Sequence, residues 1–170
     1  RFQDKGKTGY HGYWGSNFTR VDEHLPSTDL DFGLLTYILA NRGISTVLDI
    51  VANHGSPAFG MPVAQPKYGQ IFDAKGKLLA DHQNLPAAQL DPEHNPLHRF
   101  YNNKTEMVQL SDLNENNPAV MDYLSNAYIN FIDDGASAFR IDTIKHMPLP
   151  FWREFSARIR TYRPGFFMFA

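Results

Sequence analysis

The chain has 170 residues, 42% of them hydrophobic and 20% charged, with a net charge of -2 and no cysteine. This composition can bury a core and argues against a disordered chain. Without a basic run, the near-neutral charge leaves no electrostatic footprint for nucleic acid or a membrane surface, and the lack of cysteine excludes disulfide frameworks and thiolate metal sites. No stretch approaches the roughly 20 consecutive apolar residues of a membrane-spanning helix, and "RFQDKGKTGYHGYWG" has no signal-peptide layout. The first residue is Arg1, so the sequence is expected to be processed or a piece of a longer chain.

In chain order, "STDLD" offers helix caps, and "LDFGLLTYILANRG" places Leu30, Leu34 and Ile38 on one helical face before the stop signal at Gly43. "ISTVLDIVANH" follows as a β-branched run too short for a helix. Interrupted by Asp49 and closed by Asn53 and His54, it predicts a strand buried on both faces with polar residues at its carboxyl end. Residues 55–111 hold six of the eleven prolines and little periodicity, and a structureless loop of that length is improbable, so they predict a small inserted subdomain. In "NNPAVMDYLSNAYINFIDDG", Asn117 caps, Pro118 suits the first helical position, and Val120, Leu124, Ala127 and Phe131 form a stripe ending at Gly135.

The stretch "SAFRIDTIKH", Ser137 to His146, predicts a short buried strand. Positions two apart share a face, so Arg140 and Asp142 lie together opposite Phe139 and Ile141. A guanidinium beside a carboxylate favours the carboxylate form and fixes its direction, which suits a nucleophile or an electrostatic stabiliser; a buried structural ion pair fits these residues equally well. "LPFWREFSARIRTYRPG" predicts a helix burying Trp152, Phe155 and Ile159, and "FFMFA" a final strand.

Helices alternating with strands specify parallel strands joined by right-handed crossovers, in a barrel or an open doubly wound sheet. Functional-looking side chains at two strand ends and a long insertion after one of them favour the barrel, and no Gly-rich phosphate turn follows either strand. The 14% aromatic content, with many Asn, Asp, Gln and His residues, suits a polyhydroxylated ligand. His94 and His98 are spaced as helical zinc ligands would be, but Pro96 lies between them and no "HExxH" occurs, so they are expected to be solvated loop histidines.

Taken together, "DIVANH" (Asp49 to His54) and "FRIDTIKH" (Phe139 to His146) resemble two signature segments of the α-amylase family of glycoside hydrolases and glucanotransferases. "GYHGYWG" (Gly9 to Gly15) is similar to that family's aromatic segment after the second barrel strand, and "LSDLNENNPAV" (Leu110 to Val120) to its link from the inserted subdomain into the third helix. Four motifs in the correct order over about residues 9–146 are more specific than any one alone; cyclodextrin glucanotransferases and related bacterial amylases are the nearest in flavour.

The resemblance implies an α/β fold, a partial TIM-type (β/α)8 barrel. Residues 1–54 would run from the end of the second barrel strand to the third, 55–111 would form the inserted subdomain, and 112–170 would run from the third helix to the fifth strand. It makes Asp142 the nucleophile of a retaining α-1,4-glucan hydrolase, with Arg140 holding its charge. His54 would bond the sugar at the cleavage subsite, with His11 near it, Tyr13 stacked on a ring face, Trp14 packing beside these, and Lys145 and His146 on the leaving-group side. Asp49 is expected to orient its neighbours. Asn53, Asp112 and the backbone of His146 would hold a calcium ion, whose preference is for oxygen ligands. Starch or maltooligosaccharides would be the substrate, without nucleic-acid or membrane partners; the remainder of a parent chain, expected to be secreted or periplasmic, would complete the barrel.

Val108 stands where cyclising transferases of the family carry a large aromatic, which points to a hydrolase or a poor cycliser. Ser137 and Ala138 replace a common Asp-Gly pair and leave the charged residues intact. The family's acid is a Glu just past the fifth strand, expected beyond Ala170; Glu115 and Glu154 match no motif for it. The alternatives are a cyclodextrin glucanotransferase and, from another class, a non-catalytic binding relative, against which the retained Asp142 and Arg140 count.

Overall fold

The structure is a computed structural model that describes residues 3–4, 7–8, 11–57, 68–104, 106 and 110–170. Its elements in chain order are Gln3–Asp4 (β1), Lys7–Thr8 (β2), Phe32–Ala40 (α1), Val47–Ile50 (β3), His54–Pro57 (β4), Gln70–Phe72 (β5), Leu78–Asp81 (β6), Leu110–Asp112 (β7), Pro118–Asp133 (α2), Ala138–Ile141 (β8), Leu149–Tyr162 (α3) and Phe167–Phe169 (β9). Short 3₁₀ turns cover Ala87–Gln89, Pro96–His98 and Ile144–His146. The chain divides into two compact units, one of Thr19–Ala52 with Met121–Ala170 and one of Arg1–Phe18 with Asn53–Val120.

The first unit is built on a parallel sheet of order β3-β8-β9, in which sequence order is also spatial order. The register sets Asp49 opposite Arg140 and Ile50 opposite Ile141. Pro118 opens α2 and Asn117 caps it, its Oδ1 accepting from the Ala119 N–H at 3.0 Å; the stripe Val120, Leu124, Ala127 and Phe131 is buried as its spacing predicts. α2 ends in a Schellman pair, Ala136 N–H to Phe131 O at 2.9 Å and Gly135 N–H to Ile132 O at 3.0 Å. Gly135 sits at φ +97°, and a Cβ there would also meet Thr36 Oγ1 at 2.5 Å, so backbone conformation and packing both require glycine. Phe139, fully buried on β8, lies edge-on to Phe166 at 4.6 Å and near Tyr128 at 5.8 Å. Trp152, Phe155 and Ile159 of α3 are buried with Phe151, as expected. Tyr128 donates its hydroxyl hydrogen to Val51 O, and full burial raises its pKa.

Two expectations change here. α1 forms, capped by Asp31 Oδ1 on the Leu34 N–H at 2.8 Å, but Leu34 is 42% exposed and the buried residue is Thr36. Thr36 bonds the carbonyls of Gly33 and Asp134, so hydrogen bonding rather than the apolar stripe sets the inward face. The strand predicted to be buried on both faces ends at Ile50 and, among the described residues, pairs on one side only, leaving Val47 49% exposed. His54, expected to close it, instead opens β4 in the other unit.

That unit holds the two-stranded antiparallel pairs β1–β2, β4–β7 and β5–β6. Tyr68, Ile71, Ala80, His82 and Leu113 are all but completely buried in it. Among the described residues, no helix is long and apolar enough to cross a membrane.

Candidate active site

Arg140 and Asp142 share a side of the chain at the end of β8, as their spacing predicts, and Arg140 Nη1 donates to Asp142 Oδ1 at 2.7 Å. The parallel register adds a second carboxylate. The same Nη1 lies 3.1 Å from Asp49 Oδ1 and 3.3 Å from Oδ2, so one guanidinium nitrogen joins the ends of two neighbouring strands. Bonds to Asp49 and then Asp142 push the Arg140 pKa further up. The carboxylates differ in access, the Asp142 side chain being 23% exposed and that of Asp49 45%. Asp49, expected to orient its neighbours, bonds Arg140, and it does so because pairing β3 with β8 closes a sequence gap of 91 residues.

β8 stops one residue before Asp142, whose N–H still continues the ladder to Ile50 O at 2.8 Å. Thr143 then turns into the left-handed region, φ 55° and ψ 26°, and the chain enters the turn Ile144–His146 that presents the exposed Lys145 and the half-buried His146.

In the other unit, His11, Tyr13 and Trp14 form one ring cluster. His11 stacks on Tyr13 at 5.5 Å and meets Trp14 edge-on at 4.8 Å. The Tyr13 N–H donates to His11 Nδ1 at 3.0 Å, which leaves Nε2 to carry the proton of the neutral ring. Gly9 and Tyr10 of that motif lie outside the described residues, as does Val108.

Asn53, His54 and Asp112 meet at one end of β4–β7. His54 pairs with Asp112 in the ladder, the Leu113 N–H donates to Asn53 O at 2.9 Å, and all three residues are 2% exposed. Asp112 Oδ2 accepts from the Glu106 N–H at 2.6 Å, while Oδ1 is buried and accepts no hydrogen bond among the described residues. Burial raises the Asp112 pKa to about 6, against the lowering effect of the Glu106 amide. A buried carboxylate with an orphaned oxygen fits a hard cation that takes oxygen ligands. No group of three His, Cys, Asp or Glu residues among those described could hold a metal, so such a site would rely on amide and backbone oxygens as well.

The histidines considered for zinc are placed differently from expectation. His94 is exposed and bonds the Asp91 carboxylate at 2.9 Å, but His98 is buried, not solvated. Its Nδ1 accepts the Asp91 N–H at 3.0 Å, and its Nε2 lies 3.1 Å from Gln83 Oε1 and 3.0 Å from Asn95 Nδ2. It organises the loop after β6, where Gln83 and Asn84 both take positive φ. Glu115 accepts from Asn102 at 2.6 Å and Glu154 from Arg158 at 2.7 Å, both in structural contacts.

A parallel α/β sheet with charged groups at the carboxyl ends of its strands defines the class: barrel-type α/β enzymes build their sites there. Residues 2–162 match the model of the family described as "Alpha amylase, catalytic domain", and the chain belongs to that family, whose fold is of the TIM-barrel type. It is 33% identical to a cyclomaltodextrin glucanotransferase of Klebsiella oxytoca over 96% of its length and 31% identical to an alpha-amylase of Niallia circulans over 94%. It spans 26% and 30% of those two proteins. Among solved structures it is similar to CldA, a cyclomaltodextrin glucanotransferase, with a TM-score of 0.73 and 28% identity over 91% of this chain and 32% of that one. It is also similar to an acarbose-complexed alpha-amylase from Geobacillus thermoleovorans, with a TM-score of 0.66 and 26% identity over 94% of this chain and 32% of that one.

Proposed function

We propose that this chain is part of the catalytic domain of a retaining α-1,4-glucan hydrolase acting on starch or maltooligosaccharides. The observation that carries this reading is the single guanidinium nitrogen bonded to Asp142 and Asp49 at the carboxyl ends of two parallel strands, in a chain of the α-amylase family. In the proposed reaction an Asp142 carboxylate oxygen attacks the anomeric carbon. The bond to the glycosidic oxygen breaks as a carboxylic acid protonates that oxygen, leaving a glycosyl ester on Asp142. Water then attacks the same carbon, its proton returns to the acid, and the carboxylate is released. Arg140 fixes the nucleophile's direction and disperses its charge, and Asp49 holds Arg140 from the other side.

Retention requires a second carboxyl group roughly 5 to 5.5 Å from the first. The family resemblance assigns it to a Glu following β9, in the remainder of a longer, secreted or periplasmic protein. The same remainder would complete a barrel of which β3, β8 and β9 are three strands, with residues 55–111 as its inserted subdomain. His54 would bond the sugar at the cleavage subsite with His11 near it, Tyr13 would stack on a ring face, Trp14 would pack against His11, and Lys145 and His146 would bind the leaving-group side. Calcium would be held by Asn53, Asp112 and the backbone of His146, where it would neutralise the buried Asp112 carboxylate and clamp the chain.

A cyclodextrin glucanotransferase is the second reading, favoured by relatives such as those of Klebsiella oxytoca and Geobacillus stearothermophilus. In that case a sugar hydroxyl replaces water in the second step. The test of the shared mechanism is Asp142→Asn in the full-length protein, assayed on a chromogenic maltooligosaccharide. A loss of several orders of magnitude in kcat with the melting temperature kept is expected, and retention of more than a few per cent of the rate would refute the assignment.

A further inference from the structure

We propose that Thr143 is a positioning residue for Asp142, its clamped left-handed backbone acting as the fixed joint between the nucleophile and the turn that carries Lys145 and His146. The proposal rests on Asp142 being the nucleophile. A β-branched residue at φ 55° is an outlier, since its Cβ crowds the backbone there; such residues persist only where surrounding structure over-determines them, and they concentrate at functional sites. The Thr143 hydroxyl does nothing to offset the strain. Oγ1 is buried with no hydrogen-bond partner among the described residues, although Thr143 is not itself a buried residue. A site selected for stability would carry glycine, which takes this conformation freely.

What holds the joint lies on both sides of it. Before it, the Asp142 N–H is tied to Ile50 O of β3 at 2.8 Å and the Asp142 carboxylate to Arg140 at 2.7 Å. After it, the His146 N–H returns to Thr143 O at 3.0 Å, and the Trp152 indole N–H donates to Ile144 O at 2.8 Å, anchoring the turn to the first half of α3. An extended residue at 143 would carry β8 onward past Asp142. The left-handed one ends the strand there, so the carboxylate and the turn keep one mutual orientation set by two rigid elements. Because Oγ1 is buried, a bound glucan cannot reach it; the contribution of the side chain is its shape. A β-branched side chain at rest in one rotamer narrows the joint's freedom, and glycine would restore it.

The variants are Thr143→Gly, Thr143→Val and Trp152→Phe in the full-length protein, read by steady-state kinetics on a chromogenic maltooligosaccharide and by hydrogen exchange. Thr143→Gly is expected to melt no lower than wild type, yet to lose about 10- to 100-fold in kcat with KM within about twofold, as slight misplacement of a reacting group does. Its amides over Ile144–Met147 should exchange about tenfold faster while those of β8 keep their rates. Thr143→Val keeps the shape without the idle hydroxyl and should retain kcat within about twofold. Trp152→Phe keeps the packing but removes the donor to Ile144 O, and should speed exchange over the same turn and lower kcat. Unchanged kcat in Thr143→Gly, or unchanged exchange over Ile144–Met147 in both Thr143→Gly and Trp152→Phe, overturns the proposal. If the wild-type protein turns over no α-glucan, the functional reading fails by itself, and the exchange measurements still decide whether Thr143 clamps Asp142 to the turn.

Discussion

Replacing Gly69 by alanine should unfold the β5–β6 unit far more readily than the same change at Gly76, although both glycines have almost the same backbone. Gly69 sits at φ +81° and Gly76 at φ +79°, so each substitution forces an alanine into the left-handed region at about 1 kcal/mol. Their surroundings differ. A Cβ on Gly76 meets nothing within 4 Å, whereas one on Gly69 would fall 2.2 to 2.4 Å from three atoms of the His82 ring. That ring cannot step aside. It is fully buried, its Nδ1 accepts the Asn84 N–H at 3.0 Å, and Tyr101 packs against it at 5.3 Å while donating its hydroxyl hydrogen to Gly69 O. Overpacking of this kind adds about 2 kcal/mol, giving roughly 3 kcal/mol for Gly69→Ala against about 1 for Gly76→Ala. Native-state hydrogen exchange at Ile71 and Ala80, paired in this hairpin, measures the unit's opening free energy directly. Equal effects of the two substitutions to within about 0.5 kcal/mol would refute the steric account. In a Gly69→Ala/His82→Ala double variant the penalties should fall short of additive, because the clash disappears with the ring.

Burial lowers the His82 pKa to about 4, with Asp81 opposing that shift and His98 adding to it. The unfolded chain therefore binds the extra proton first, so stability is full above pH 6.5 and declines as pH falls toward 4, by on the order of 3 kcal/mol; exchange-derived stabilities at pH 7 and 5 should show this slope, and His82→Asn, whose side-chain oxygen can still accept the Asn84 N–H, should flatten it. Calcium removal by excess chelator should lower the melting temperature of the full-length protein; an unchanged melt with no calcium by elemental analysis would remove Asn53, Asp112 and His146 from consideration as ligands. With Val108 in place of a large aromatic, chromatography of starch digests should show linear maltooligosaccharides dominating, and mainly cyclic products would favour the transferase reading.

The sequence by itself determined the elements whose causes are local. Asn117, Pro118 and Gly135 bound α2 because capping oxygens, a preset φ and a left-handed stop act within a few residues. The buried stripes of α2 and α3 follow from the 3.6-residue period, and Arg140 joins Asp142 because alternate strand residues share a side. Tertiary structure decided what depended on partners far along the chain. Asp49 became the second carboxylate on Arg140 through a parallel register that no local pattern encodes. Leu34 stayed exposed while Thr36 went inside, because two backbone carbonyls, one from the end of α2, accept the Thr36 hydroxyl. His98 became a buried hub once the loop after β6 folded around it, and Asp112 was left with an orphaned buried oxygen by pairing β7 against β4. The left-handed turn at Thr143 was the least legible feature, since a β-branched residue predicts extended backbone; bonds from Ile50 and Trp152 on either side of it outweigh that preference.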